Sequence, residues 1–264
     1  MFKEYSEVLH KEDPVLSKAR LYPYFLEDAK NSACILILPG GGYGHVSHQE
    51  GPPVAGWLNS MGISAAVLEY TVGAKVYPEP QQQAIYAMRY LRANAAELNI
   101  NPEKIGVLGF SAGGHLCACV SQGFDRKEWH LDPDGTLGNT SARPDASILA
   151  YAVLCAIKMH KGSYKNLLGE NPDQNLVNSL SWEKNIHTDS PPTFLWHTAD
   201  DAVVAVSNTY LMAMAFEEKS IPHEVHVYPE GEHGIGLVSI GHRRQGTSGQ
   251  WKAQAERWLL ELGF

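Results

Sequence analysis

The residues Ile105-Gly106-Val107-Leu108-Gly109-Phe110-Ser111-Ala112-Gly113-Gly114-His115 constrain this chain more than any others. A short apolar run reads as a buried strand, Gly109 to Gly113 make a G-x-S-x-G turn, and His115 to Val120 can continue as a helix. In strand–turn–helix context this is the pattern of a nucleophile elbow, a serine lifted clear of a sheet on a tight, strained turn. A side chain at Gly109 or Gly113 is expected to collide with the neighbouring strand or helix.

The flanking sequence supplies a matching frame. Ala33–Leu38, Ile63–Tyr70, Ser147–Leu154, Thr193–Trp196 and Glu224–Tyr228 read as strands, and Leu21–Leu26 as an edge strand that tolerates Pro23. Helical spacing marks Pro53–Met61, the face made by Ala84, Met88, Leu91, Ala95 and Leu98, Val206–Phe216, and the face made by Trp251, Ala255, Trp258 and Leu262. Alternating strands and helices predict an α/β fold, a mostly parallel sheet with helices on both faces, in a single domain over 1–264. Two segments break the alternation, about 123–143 and 156–190. They are expected to form a small cap over the strand ends, where function collects in such folds.

Composition bounds the function. The chain has 264 residues, 44% of them hydrophobic, and a formal net charge of −8. No basic run is longer than Arg243-Arg244, which argues against nucleic acid or an anionic membrane as a partner. The start, Met1-Phe2-Lys3-Glu4-Tyr5-Ser6-Glu7, lacks the apolar core of a signal peptide, so a cytoplasmic location is expected. Cys34, Cys117, Cys119 and Cys155 lie in apolar runs and read as buried free thiols.

A serine hydroxyl needs a base to take its proton, and the base needs an acid to orient it. After Ser111 the strand ending at Trp196 empties into His197-Thr198-Ala199-Asp200-Asp201. Asp201 is the expected acid, with Asp200 as the alternative. The strand ending at Tyr228 is followed by Gly231-Glu232-His233-Gly234, and His233 is the expected base. His197 and His115 read instead as structural. The glycine run Gly40-Gly41-Gly42 follows another strand. Its backbone amides can approach a developing alkoxide unobstructed, so Gly41 and Gly42, with the Ala112 amide, are the expected oxyanion donors. A nucleotide-binding loop is the alternative, but Gly40-Gly41-Gly42-Tyr43-Gly44 lacks the G-x-G-x-x-G spacing.

Pro39-Gly40-Gly41-Gly42-Tyr43, the segment Gly109 to Leu116, Arg143-Pro144-Asp145, Pro191 to Thr198 with Asp200-Asp201, and Gly231 to Gly234 carry a family resemblance. The chain, from about residue 21 to its end, resembles the bacterial α/β-hydrolases of the lipase/esterase group labelled xylanase-B-like or acetyl-xylan-esterase-like. It is more distantly similar to feruloyl esterases and to prolyl oligopeptidase catalytic domains. The resemblance implies hydrolysis of short-chain, chiefly acetyl, esters on sugars through a Ser111–Asp201–His233 triad, with no metal or cofactor. It does not imply glycosidase activity, which needs two carboxylates flanking a sugar bond.

The chain departs from the family pattern at Gln83-Ala84, Tyr151-Ala152-Val153, Ser181-Trp182 and Val204-Ala205, none of them in the triad. Tyr43, His160 and Trp182 are the candidate substrate contacts, since aromatic rings beside polar groups suit a sugar; anchoring of the insertion is the alternative for Trp182. An amide hydrolase (a small peptidase or an arylformamidase) and a non-catalytic binding protein on the same fold are the rival functions. Homodimerisation is left open.

Overall fold

A computed structural model describes residues 6–156, 158, 160–237 and 246–264. Residues 1–5 of the amino-terminal stretch and the Arg243-Arg244 pair lie outside them. The strands are β1 (Glu7–Val8), β2 (Arg20–Tyr24), β3 (Ser32–Leu38), β4 (Ser64–Glu69), β5 (Ile100–Phe110), β6 (Ser147–Ala150), β7 (Thr193–Thr198) and β8 (His223–Tyr228). The α-helices are α1 (Pro52–Ser60), α2 (Glu79–Ala93), α3 (Ser111–Gly123), α4 (Lys161–Leu168), α5 (Gln174–Ser179), α6 (Ser207–Glu218) and α7 (Trp251–Glu261). The strands form one sheet in the order β1-β2-β4-β3-β5-β6-β7-β8. β1 and β2 pair antiparallel, β2 pairs antiparallel to β4, and the remainder of the sheet is parallel. This is the α/β-hydrolase layout that the sequence predicts.

The continuous apolar runs of the central strands follow from burial on both faces. Cys34, Leu36 and Leu38 of β3, Val107 of β5 and Leu195 of β7 pack with Met88 and Leu91 of α2, Leu116 of α3 and Phe216 of α6. The alternate residues Ile35, Ile37, Phe110, Phe194 and Trp196 pack on the other face with Leu58 of α1 and Trp251 and Leu259 of α7. One strand thus feeds two cores by its period of two. Chain direction reverses sideways at β3, which is flanked by β4 on one side and β5 on the other. That switch point opens a crevice at the strands' carboxyl ends, where ligands bind in open α/β sheets.

Pro23 sits opposite Ala66 of β4, while β1 reaches only Arg20 and Leu21 of β2. The missing N–H therefore faces an open edge. The apolar run after Ser147 stays buried through Ala156, but β6 ends at Ala150 because Tyr151 takes a left-handed backbone (φ 35°). Val153 N–H then donates to the Ser111 carbonyl, which draws the segment back to the elbow. Ala95 and Leu98, read from the sequence as part of the α2 face, lie beyond that helix's end at Ala93.

The cap needs a correction. Residues 138–145 are bound at the amino ends of the strands: Arg89 donates to the carbonyls of Leu131, Gly138 and Thr140, and Arg92 to those of Pro102, Ser141 and Arg143. Asp145 accepts from the amide of Ile105, at the start of the apolar part of β5. This part of the insertion lies away from Ser111, because the buried Arg89 and the half-buried Arg92 tie it to the opposite end of the sheet. Its earlier part, by contrast, packs against the 156–190 segment: Arg126 donates to the Ser179 carbonyl, and Trp129 meets Trp182 edge-on. The 156–190 segment does reach the crevice, through His160, Gly162 and Asn166. All four cysteines are free and buried. Among the described residues, no helix is long and apolar enough to cross a membrane, and no group of three or more His, Cys, Asp or Glu is gathered as a metal-binding set.

Candidate active site

β5 ends at Phe110 and α3 begins on the next residue, leaving Ser111 in the turn with φ 52°. A methyl group at Gly113 would overlap the Leu38 and Pro39 carbonyls, so only glycine lets α3 pass this close to β3. Ser111 Oγ lies 2.8 Å from His233 Nε2, and His233 Nδ1 lies 2.7 Å from Asp201 Oδ2. A carboxylate accepts only, so Nδ1 carries the imidazole hydrogen and Nε2 is left to accept from the serine hydroxyl. Asp201 and His233 reach Ser111 from the loops after β7 and β8, both at the carboxyl ends of their strands.

The Asp201 side chain has no solvent exposure. Its Oδ1 accepts from the amides of Val203 (2.8 Å) and Val204 (2.9 Å), and His197 Nε2 approaches Oδ2 at 3.2 Å. Burial alone would raise its pKa, but the hydrogen bonds from His197 and His233, the His233 charge and the Val204 amide outweigh burial and hold it well below the usual carboxylate range. The neighbouring carboxylate is used otherwise: Asp200 Oδ1 accepts from the Gly231 amide and ties down the start of the histidine loop.

The glycine loop wraps the other side of Ser111. Gly41 (φ 120°) and Gly42 (φ 64°) turn the chain, and the Gly41 carbonyl accepts from the amides of Gly44 and His45. Asn166 of α4 donates to the Gly42 carbonyl at 2.9 Å, fixing the loop from the insertion side. Ala112, in the first turn of α3, has its amide at the helix end where backbone donors lack intrahelical partners. Gly41, Gly42, Ser111, His160, Gly162, Asn166, His233 and Glu50 all line one open cleft of about 510 Å³.

Two of the three expected substrate contacts are placed elsewhere. Tyr43 is 1% exposed, its hydroxyl donating to His115 Nδ1 at 2.8 Å and its ring set edge-on to Tyr70. His115 donates from Nε2 to the Leu180 carbonyl, and burial lowers its pKa to about 4, so it is a neutral structural ring. Trp182 is fully buried beside His115 and Trp129, with the Arg126 guanidinium over both tryptophans. Neither side chain can touch a ligand in the cleft. His160 does line it; burial, then the His233 charge, lower its pKa. Residues not singled out from the sequence also build the site: Asn166, Gln49, Glu50 and Tyr151. Asn166 sits in a polar insertion, and Glu50 in the polar run His48-Gln49-Glu50, whose composition suggests solvent.

The BD-FAE family model matches residues 24–216. The chain belongs to the BD-FAE family. It is 36% identical over 224 residues to an endo-1,4-beta-xylanase B from Butyrivibrio fibrisolvens, covering 83% of this chain and 35% of that protein. It is 29% identical over 246 residues to an acetylxylan esterase from Xylanibacter ruminicola, covering 90% of this chain and 46% of that protein. It thus spans less than half the length of these two relatives. Among solved structures, an acetyl ester-xyloside bifunctional hydrolase from Caldicellulosiruptor lactoaceticus superposes with a TM-score of 0.87 at 41% identity, covering 100% of this chain and 93% of that one. This BD-FAE chain therefore shares both fold and sequence with ester hydrolases.

Proposed function

We propose that the chain is a serine carboxylesterase that removes short acyl groups, acetyl foremost, from sugars or oligosaccharides. One observation carries the reading: Ser111 Oγ, His233 and the buried Asp201 stand in a continuous hydrogen-bonded row of 2.8 and 2.7 Å at the floor of an open cleft. The sugar comes from the relatives' names, which speak of acetylxylan and acetyl ester-xyloside substrates. Xylan-chain cleavage is no part of this function, since the chain covers only 35% of the length of the xylanase B.

In this mechanism Ser111 Oγ attacks the acyl carbonyl carbon while His233 Nε2 takes the hydroxyl proton. Asp201 fixes the tautomer and stabilises the imidazolium. The amides of Gly41, Gly42 and Ala112 donate to the oxyanion, a contribution worth on the order of 10²–10³ in rate for one donor. Collapse breaks the bond to the sugar oxygen, which leaves with the proton from His233. Water then gives a proton to His233 as it attacks the acyl carbon, the bond to Ser111 Oγ breaks, and His233 returns the proton to Oγ, releasing the carboxylic acid and the free serine.

The test is organophosphonate labelling with peptide mapping, alongside kinetics on p-nitrophenyl esters of increasing chain length, acetylated xylo-oligosaccharides, N-formylkynurenine and proline amides. Label is expected on Ser111, with kcat/KM falling beyond about four acyl carbons because a short pocket gains nothing from further methylenes. Label on another serine overturns the site. A maximum at long chains, or turnover confined to the amides, overturns the substrate class.

A further inference from the structure

Glu50 is a buried carboxylate that the mechanism above does not use. Only 2% of it is exposed, yet it borders the cleft. Its Oε2 accepts from the Gly40 amide at 2.8 Å, at the root of the glycine loop. Its Oε1 lies 2.6 Å from the Tyr151 hydroxyl, and Tyr151 Oη accepts from the Gly236 amide at 2.9 Å, in the loop that carries His233. The adjacent Gln49 Nε2 donates to the Gly234 carbonyl at 2.5 Å. One short turn therefore holds the glycine loop with one hand and the histidine loop with the other. Ser111 stands between them: Gly40 abuts Ser111 Cβ, and the Tyr151 ring meets the His233 ring edge-on at 5.1 Å.

The donors also fix the form of the acid. Gly40 and Gly236 present amide N–H groups, which can only donate. Gly236 uses the Tyr151 oxygen as acceptor, so the tyrosine hydrogen is free for Glu50. Both Glu50 oxygens then accept, the pattern of a carboxylate; a protonated acid would either meet the Gly40 N–H or leave the Tyr151 hydrogen without an acceptor. We propose that Glu50, as a carboxylate, is a positioning residue that holds the glycine loop and the His233 loop in register across Ser111. This rests on the triad reading, because register matters only if the base and the oxyanion donors act on one carbonyl. A displacement of about 1 Å there costs roughly 10²-fold in rate.

A carboxylate in this place is costly to the fold. Burial raises the Glu50 pKa, against the opposing pull of the Tyr151 hydroxyl, the Gly40 amide, the His233 charge and Ser47. These are the groups that face it from the glycine loop, its own turn, the end of β6 and the loop after β8. An acid with a raised native pKa binds more protons folded than unfolded, so its presence lowers stability as pH rises through that interval. Glutamine keeps the shape without the charge, though its NH2 group leaves either the Gly40 amide or the Tyr151 hydroxyl without its acceptor. A residue serving only packing should therefore tolerate Glu50→Gln with no loss of activity.

The experiment compares wild type, Glu50→Gln, Tyr151→Phe and Ser111→Ala in p-nitrophenyl acetate kinetics and thermal melting at neutral pH. Glu50→Gln is expected to fold and to lose about tenfold or more in kcat with KM little changed, as misplaced catalytic groups do. Tyr151→Phe breaks the same chain of hydrogen bonds without removing a charge and is expected to lose kcat likewise. Wild-type kcat in either variant overturns the proposal. If Glu50→Gln fails to fold, Tyr151→Phe decides: a reduced kcat with KM little changed supports the proposal, and a wild-type kcat overturns it. Ser111→Ala separates the two readings. An active Ser111→Ala removes the triad and this inference together, whereas an inactive one beside a fully active Glu50→Gln removes the inference alone.

Discussion

His197 Nε2 lies 3.2 Å from Asp201 Oδ2, the same oxygen that stands 2.7 Å from His233 Nδ1. His197 is fully buried, with Nε2 also 2.9 Å from the Val204 carbonyl and Nδ1 2.8 Å from Thr209 Oγ1. A carbonyl accepts only, so the hydrogen is on Nε2 and is shared with Asp201. The second histidine thus holds the acid from behind. His197→Phe is expected to cost about 1–3 kcal/mol, since it leaves the Val204 carbonyl and Thr209 hydroxyl buried without a partner. It should also lower kcat about tenfold by letting Asp201 turn. Denaturant titration and esterase kinetics check both. Unchanged kcat would mean that the amides of Val203 and Val204 suffice to orient Asp201.

Asp201 carries a pH signature. Its native pKa is held well below the ordinary value by the hydrogen bonds from His197 and His233 despite burial. A depressed carboxylate pKa gives stability that is present above the unfolded value of about 3.9 and is lost as pH falls through the folded one. Asp201→Asn lacks that contribution. The stability gap between wild type and variant should therefore be full at neutral pH and narrow as the medium becomes strongly acid. In the same variant, kcat should fall on the order of 10³–10⁴-fold, because an amide can present N–H to Nδ1 and favour the wrong tautomer. A stability gap that does not vary with pH would argue against the lowered pKa.

Trp182 lies in the core, and its removal should read as a core defect. Trp182→Ala leaves a void beside His115 and Trp129 and removes a ring beneath the Arg126 guanidinium. The expected cost is about 3–5 kcal/mol. The kcat/KM for p-nitrophenyl acetate and for an acetylated xylo-oligosaccharide should fall together, since the void undermines α3 rather than a sugar contact. A rise in KM confined to the sugar, with melting unchanged, would restore the tryptophan to the substrate.

What the sequence made legible was what local chemistry decides. Ser111 and Asp201 each follow a short apolar run, and His233 follows the alternating Glu224–Tyr228, both patterns that read as strands; each sits among glycines or turn residues that free a side chain at a strand end. Their convergence needs no more than a parallel sheet, which gathers strand ends on one edge. Long-range packing decided what was missed. Tyr43 follows a glycine run as a substrate contact could, but its ring is drawn inward by His115, a partner that lies 72 residues on. Trp182 stands in a polar insertion, and its burial depends on Trp129, from the other insertion. Glu50 belongs to a polar stretch that reads as exposed loop. Its partners, Gly40 and Tyr151, are separated from it by 10 and 101 residues. The left-handed Tyr151 that aims one of them has no local sequence mark, because nothing but tertiary contact holds a tyrosine there.

His160 is the expected substrate contact that does border the cleft. The Ser163 amide donates to its Nδ1 at 3.3 Å, capping α4. An N–H cannot accept, so the neutral ring carries its hydrogen on Nε2, and the lowered pKa keeps it neutral at ordinary pH. Under the proposed function, its Nε2–H is available to donate to a sugar oxygen in the cleft. His160→Asn retains an oxygen able to cap the helix and removes the ring; His160→Ala removes both and should cost about a further 1 kcal/mol in stability. Both variants should raise KM for an acetylated xylo-oligosaccharide several-fold more than for p-nitrophenyl acetate, since a lost hydrogen bond to the sugar weakens only the substrate that has one. Steady-state kinetics on the two substrates, with melting curves for both variants, decide it. Equal loss on the two substrates, growing with the loss of stability from Asn to Ala, would reduce His160 to a helix cap.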